Sequence, residues 1–302
     1  MRSRPRGSSS NTSLPTDGNS RSRAARAMRA PAERRLAAVL LAPALAVLAS
    51  VTLYPLAQAL VLSLERRVPV FGIDEFVGLR HYAFLLRDPA FANALRVTVV
   101  FTVASVALEV VLGVAAALAL ATMRRWRAAG IGLLLLPWCL PGVVTARIFE
   151  WLYEPTGWLG IPGRALPALI VADVWRTTPF LALFAYARLI SIPPAIGEAA
   201  AVDGAGRLAT LRTITLPLLA PVLLTAALFR TLDALRAFDL MYVLTGGGPA
   251  ATTETLTLYA YRHLFQTLQL GLGAAAAVLV LVIVALVAWA HMHALDATEA
   301  RT

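Results

Sequence analysis

Six stretches of this chain are long, apolar and almost free of charge, and they limit the fold more than any other feature. They run at about Leu36–Leu64, Val97–Ala121, Ile131–Phe149, Pro167–Ile190, Leu216–Phe238 and Leu272–His291. Roughly 20 apolar residues in helix cross a ~30 Å hydrocarbon layer. In that layer each backbone N–H and C=O must be paired within the structure, and a helix achieves this within one segment. The expected fold is therefore an all-α polytopic membrane protein with six transmembrane helices. Composition agrees: only 15% of residues are charged, against roughly 25% in soluble domains. Pro137 and Pro141 fall inside the third stretch, so that helix is expected to be bent or broken.

The formal net charge is +10. In a soluble chain this would suggest nucleic acid, but no zinc-finger or RRM-like pattern is present. The basic residues sit mainly in the N-terminal tail and short loops, where they set orientation in a membrane. All 27 are arginine. A Walker A loop requires lysine, and so does Schiff-base chemistry. ATP hydrolysis that powers this protein must occur on another chain. Cys139 is the single cysteine, which excludes an intrachain disulfide or cysteine metal cage. The four histidines form no HExxH motif, and Ser50 and Ser63 have no local base. No catalytic, cofactor or metal site is expected.

Residues 1–35, with nine arginines, read as a disordered cytoplasmic tail. Residues 36–291 read as the six-helix transmembrane domain, 192–217 as a cytoplasmic loop within it, and 292–302 as a short cytoplasmic tail. Six crossings place both termini on one side. The tail, the second-to-third connection, the loop after Arg188 and the C-terminus together hold 16 arginines, which places them in the cytoplasm. The connection from Glu65 to about Asn93 has room for a surface helix. Trp151, Tyr153 and Trp158 suit the headgroup level. TGGGPAATTETL, after the fifth stretch, reads as a flexible glycine turn. Gly271, Gly273 and Ala274–Ala277 give the sixth stretch a small packing face.

Charges inside apolar stretches are costly unless paired or facing an aqueous path. Asp173 and Arg176 lie three apart in the fourth stretch. Arg230, Asp233, Arg236 and Asp239 alternate in sign every third residue around the end of the fifth, a spacing at which neighbours meet on a helix. Glu109 stands alone in the second. Two readings are open for Glu109, Asp173, Arg176, Arg230, Asp233 and Arg236: they line a translocation path, or they pair between helices.

The segment 192–217 reads as helix, turn, helix joined to the fifth stretch. Pro193 and Pro194 end the preceding helix, Glu198-Ala199-Ala200 favours a new one, and Asp203-Gly204 suits a turn with positive φ. Glu198, Ala199, Ala200, Gly204, Ile214, Leu216 and Pro217 fill the pattern EAA, three residues, G, then I-x-LP, and Asp203 and Ala205 complete DGA. With FRTLDALRAFDLMYVLTGGGPAATTETL (229–256), VGLRHYAFLLRDPAF (77–91) and WRTTPF (175–180), the chain resembles the membrane subunits of binding-protein-dependent ABC importers. The likeness is to the carbohydrate-uptake, MalF/UgpA-like branch, and it extends from Arg34 to His291.

The resemblance implies a MetI/MalF-like permease fold in a bacterial plasma membrane. It implies four kinds of partner: a homologous MalG/UgpE-like second permease, two cytoplasmic ATP-binding subunits that hold ATP and Mg, an extracellular or periplasmic sugar-binding protein, and membrane lipid. Glu198, Ala199, Ala200, Asp203, Gly204, Ile214, Leu216 and Pro217 would be the ATPase-coupling loop. The implied cargo is a sugar, with an α-glucoside disaccharide such as trehalose or maltose favoured by the 229–248 stretch. A polyol or glycerol phosphodiester is the alternative within the superfamily. An ion-coupled secondary transporter is disfavoured by the loop and by the lack of evident internal repeats.

Overall fold

The computed structural model describes residues 18–123 and 125–299, with side chains described from residue 38 to 293. Helix α1 spans Gly18–Ser63, and from Ala38 to Leu62 none of its side chains is buried. The expectation of a disordered tail through residue 35 is corrected for residues 18–35, which are helical. Alanine and arginine are frequent there, and both favour helix. Residues 1–17 of that tail lie outside the described residues.

The connection expected to hold a surface helix also contains a hairpin. Strand β1 (Glu65–Val68) pairs antiparallel with β2 (Ile73–Phe76), and Gly72 closes the turn at φ +64°. The short helix α2 (Arg80–Leu85) follows. Helix α3 (Pro89–Thr122) begins eight residues before the apolar stretch does. The reason is local: Asp88 accepts from the backbone N–H groups of Ala90 and Phe91 at 3.1 and 3.3 Å, and Pro89 occupies a first-turn position where no N–H is needed.

The third apolar stretch is broken. Helix α4 (Arg127–Leu135) and helix α5 (Gly142–Tyr153) flank a turn that contains Pro137 and Pro141. At 1.5 Å per residue they measure about 13 and 18 Å, each too short to cross alone. Among the described residues, five helical stretches are therefore long and apolar enough to span: Ala38–Ser63, Pro89–Thr122, Ala165–Ser191, Arg207–Leu235 and Leu270–His293.

Helix α6 (Ala165–Ser191) is followed by α7 (Pro194–Val202) and α8 (Arg207–Thr210). A π-helical turn, Leu211–Thr215, joins α8 to α9 (Leu216–Leu235) without a break. Pro217 lies two residues beyond this turn, and the wider spiral accommodates a residue that cannot donate to the preceding turn. α9 ends at Leu235 rather than at Phe238. Helices α10 (Asp239–Leu244) and α11 (Leu256–Tyr261) precede α12, which runs Leu270–Glu299. The expected C-terminal tail is thus helical through residue 299.

The core of residues 59–302 has three apolar clusters. One joins Phe101, Phe149, Leu169 and Met241 from α3, α5, α6 and α10. A second packs Phe91 and Tyr259 against Ala275 and Ala276 of α12. The third joins Val114, Ala117, Tyr186, Leu219 and Leu223 at the opposite end of α3, α6 and α9. Small residues permit the close approaches. A β-carbon on Gly271 would lie 1.8 Å from the Glu65 carbonyl oxygen, so α12 meets the hairpin backbone directly.

Candidate functional site

The buried charges converge on Arg230. It projects from α9 and is 3% exposed, while Glu109 on α3 and Asp173 on α6 are 0% and 2% exposed. Arg230 Nε lies 2.7 Å from Glu109 Oε2, an ion pair without hydrogen-bond alignment. Its Nη2 pairs with Asp173 Oδ2, and its Nη1 donates to Asp233 Oδ2 at 3.1 Å. Thr177 donates to Glu109 Oε1 at 2.7 Å, and Arg176 Nη2 lies 3.5 Å from Asp173 Oδ1. Guanidinium is suited to this task because its planar fork serves several carboxylates at once.

Of the six intramembrane candidates, the fold gathers five. Glu109, Asp173 and Arg230 form the buried part. Arg176 is partly exposed, and the Asp233 side chain is 61% exposed. The cluster is paired between helices within and uncovered at one end. Arg236 stands apart: it is exposed, and its Nε donates to the Leu232 carbonyl at 3.1 Å. Asp239 opens α10 and lies against Gly142.

Sequence reasoning does not single out Thr177. Nor does it single out the hydroxyl ladder of Thr98, Thr102 and Ser105, which with Glu109 repeats at spacings of four, three and four residues on the buried face of α3. That periodicity is present in the sequence and marks one helix face.

The second candidate region, 192–217, projects from the other end of α9. Glu198 and Ala199 lie on exposed positions of α7, and Ala200 is buried. Glu198 has no hydrogen bond or ion pair among the described residues. Gly204 adopts φ +78°. Its N–H donates to the Ala201 carbonyl at 3.1 Å, and the Ala205 N–H donates to the Ala200 carbonyl at 2.9 Å. These two bonds form a Schellman cap, which ends α7 and needs a left-handed residue after it. Asp203 is the last half-helical residue before that cap. Val202 (87% exposed) and Leu208 (59%) flank the turn, an apolar edge beside an unpaired carboxylate. Ile214 lies in the π-helical turn, and Leu216 packs beside Leu219. Arg188 Nε donates to the Leu218 carbonyl at 3.1 Å, tying the end of α6 to the start of α9.

The glycine-rich turn 245–256 is packed, which corrects the expectation that it is flexible. Thr253, Glu254 and Thr255 are buried. Asn93 Nδ2 donates to the Ala251 carbonyl at 2.8 Å, the Leu256 N–H to Thr98 Oγ1 at 2.9 Å, and Arg262 Nη1 lies 2.9 Å from Glu254 Oε1. Threonine hydroxyls and Asn93 satisfy the backbone there in place of water.

Known proteins are similar to this chain in sequence and in fold. Residues 109–296 match the family described as binding-protein-dependent transport system inner membrane component. The trehalose/maltose transport system permease protein MalF of Thermococcus litoralis is 40% identical over 225 residues, covering 69% of this chain and 76% of that protein. The trehalose transport system permease protein SugA of Mycobacterium tuberculosis is 37% identical over 252 residues, covering 78% and 80%. In fold, the chain is similar to a subunit of a bacterial ABC transporter involved in the import of the acidic polysaccharide alginate, with TM-score 0.73, 20% identity, and coverage of 90% and 98%. The chain belongs to the family of binding-protein-dependent ABC transport system inner membrane components.

Proposed function

We propose that this chain is a permease subunit of an ATP-driven importer for a sugar, with an α-glucoside disaccharide such as trehalose or maltose as the cargo. The observation that carries the sugar reading is the 37–40% identity, over about seven to eight tenths of the chain, to permeases named for trehalose and maltose. In this reading the chain forms half of the translocation path beside a homologous second permease. A binding protein delivers sugar to the face opposite the 192–217 loop. That loop docks on a cytoplasmic ATPase chain, which holds ATP and Mg. Both termini then lie in the cytoplasm.

Three features support the coupling role. The loop is exposed, its bend is fixed by the Gly204 cap, and its second arm runs without interruption into the spanning helix. A rigid helix passes displacement from end to end, where a coil would absorb it. Asp233 and Arg176, the uncovered members of the charge cluster, supply acceptor and donor groups for sugar hydroxyls. The test is uptake of labelled trehalose and maltose by vesicles holding the whole complex, with ATP inside and binding protein outside. Uptake that needs both components supports the reading. Uptake driven by an ion gradient alone overturns it, and a different solute identified by mass on the binding protein overturns the cargo assignment.

A further inference from the structure

We propose that Arg230 is a positioning residue that fastens α3, α6 and α9 into one rigid body, so that motion entering at the 192–217 loop moves all three helices together. The inference rests on the reading of that loop as the ATPase contact, and it adds the route by which displacement leaves it.

The loop's second arm and the α9 span form one continuous helix, Arg207–Leu235. Arg230 lies 23 residues from its start, about 35 Å along the axis at 1.5 Å per residue. At that far end its guanidinium meets a carboxylate from each neighbouring helix, Glu109 of α3 and Asp173 of α6, with all three groups at most 3% exposed. α9 cannot slide or tilt alone without separating a buried cation from two buried anions. Such a separation leaves uncompensated charge in a low-dielectric interior, a larger cost than the thermal energy that drives ordinary helix shifts.

A second tie lies near the loop, where Arg188 of α6 holds the Leu218 carbonyl of α9. Between the two ties, Val114 and Ala117 of α3, Ala185 and Tyr186 of α6, and Leu219 and Leu223 of α9 share one packed cluster. The α3–α6 pair is closed independently by the Thr177–Glu109 hydrogen bond and by Gly113, where an added β-carbon would lie 3.0 Å from that of Leu181. Each pair among the three helices is thus fixed at more than one level, and Arg230 is bonded to both other helices through a carboxylate of each, Glu109 of α3 and Asp173 of α6.

The test uses spin labels in the assembled complex. In a C139S background, cysteines at Val103 (α3), Val171 (α6) and Phe229 (α9), all exposed, carry labels in pairs, and distances are measured without nucleotide and with ATP trapped. The expected result is that all three distances agree between states within about 2 Å, the scale of small interface adjustments. A change of about 5 Å or more in a distance involving α9, one helical turn, overturns the proposal.

R230M alone leaves Glu109 buried without a cationic partner and Asp173 buried with Arg176 alone, and membrane yield should fall. The neutral triple variant E109Q/D173N/R230M should recover yield, yet show distances that broaden and differ between states, with a severalfold loss of ATPase stimulation by loaded binding protein. Narrow, unchanged distances and full stimulation in the triple variant would mean that Arg230 only fills space. If the triple variant does not assemble, the wild-type distances decide alone. If E198A and G204V keep full stimulation while those distances stay fixed, the loop reading and the route of motion through it fail, and only the Arg230 tie between the three helices stands.

Discussion

Gly113 provides a test of how tightly α3 and α6 are joined. A β-carbon there would lie 3.0 Å from Leu181 Cβ, 3.1 Å from the Ala182 nitrogen and 3.2 Å from the Leu181 carbonyl carbon. None of these atoms can rotate away, so G113A must push the helices apart by a few tenths of an ångström. Glu109 and Thr177 sit one turn before Gly113 and Leu181 on the same faces, and the 2.7 Å hydrogen bond between them would stretch. Overpacking of this kind costs about 1–3 kcal/mol, while alanine in a helix interior returns about 0.8–1 kcal/mol relative to glycine. Gly132 in α4 is the control, because nothing lies within 4 Å of its β-carbon position. G132A receives the propensity gain without the clash, so the two variants should differ by about 1–3 kcal/mol. Thermal unfolding of the purified complex in detergent should place the melting point of G113A below that of G132A by roughly 2–4 °C per kcal/mol. Equal melting points, or a higher one for G113A, would refute the close crossing of α3 and α6.

D233N keeps the shape of an exposed side chain but removes its charge beside Arg230. It should raise the sugar concentration for half-maximal uptake while leaving assembly intact, and unchanged uptake kinetics would exclude Asp233 from the path. Deleting residues 2–28 should leave uptake unchanged at matched membrane expression, and a loss of tens of fold would give the tail a role in transport. In Y259F, Asp88 loses the hydroxyl that donates to it at 2.6 Å, which should cost about 0.5–1.5 kcal/mol in unfolding measurements. Burial, then the hydrogen bond to Asp88, hold the Tyr259 phenol above its ordinary pKa, so it stays protonated and this deficit should not vary from neutral to mildly alkaline pH.

The apolar stretches announce the helices because hydropathy is a local property. The break at Pro137 and Pro141 is equally legible, since proline removes a donor wherever it stands. The Gly204 turn follows from Asp-Gly and the absence of a side chain. What sequence leaves open is which charges meet. Glu109, Asp173 and Arg230 are 57 to 121 residues apart in pairs, and only helix packing decides that their side chains share one site. Thr177 is hidden for the same reason: a threonine on an apolar helix ordinarily bonds its own backbone, and here it also bonds a distant carboxylate. The hairpin Glu65–Phe76 escapes a sequence reading because its two strands are four residues each, too short for alternation to stand out. The TGGGPAATTETL turn misleads because glycine signals freedom only where nothing encloses it, and Asn93, Thr98 and Arg262 enclose it here.

The central claim is that the 192–217 loop couples ATP hydrolysis to this permease. It is tested most directly by ATPase activity of the reconstituted complex with and without sugar-loaded binding protein, compared for wild type, E198A and G204V. Gly204 has open space around its β-carbon position but φ +78°, so valine there brings backbone strain of roughly 1–2 kcal/mol without a clash. That strain should reorient α7 against α8 and leave the membrane helices in place. The expected G204V complex assembles and hydrolyses ATP at a basal rate, with stimulation by the loaded binding protein lost, and E198A should retain the ATPase chain more weakly. Full stimulation and normal sugar uptake in both variants would contradict the coupling role.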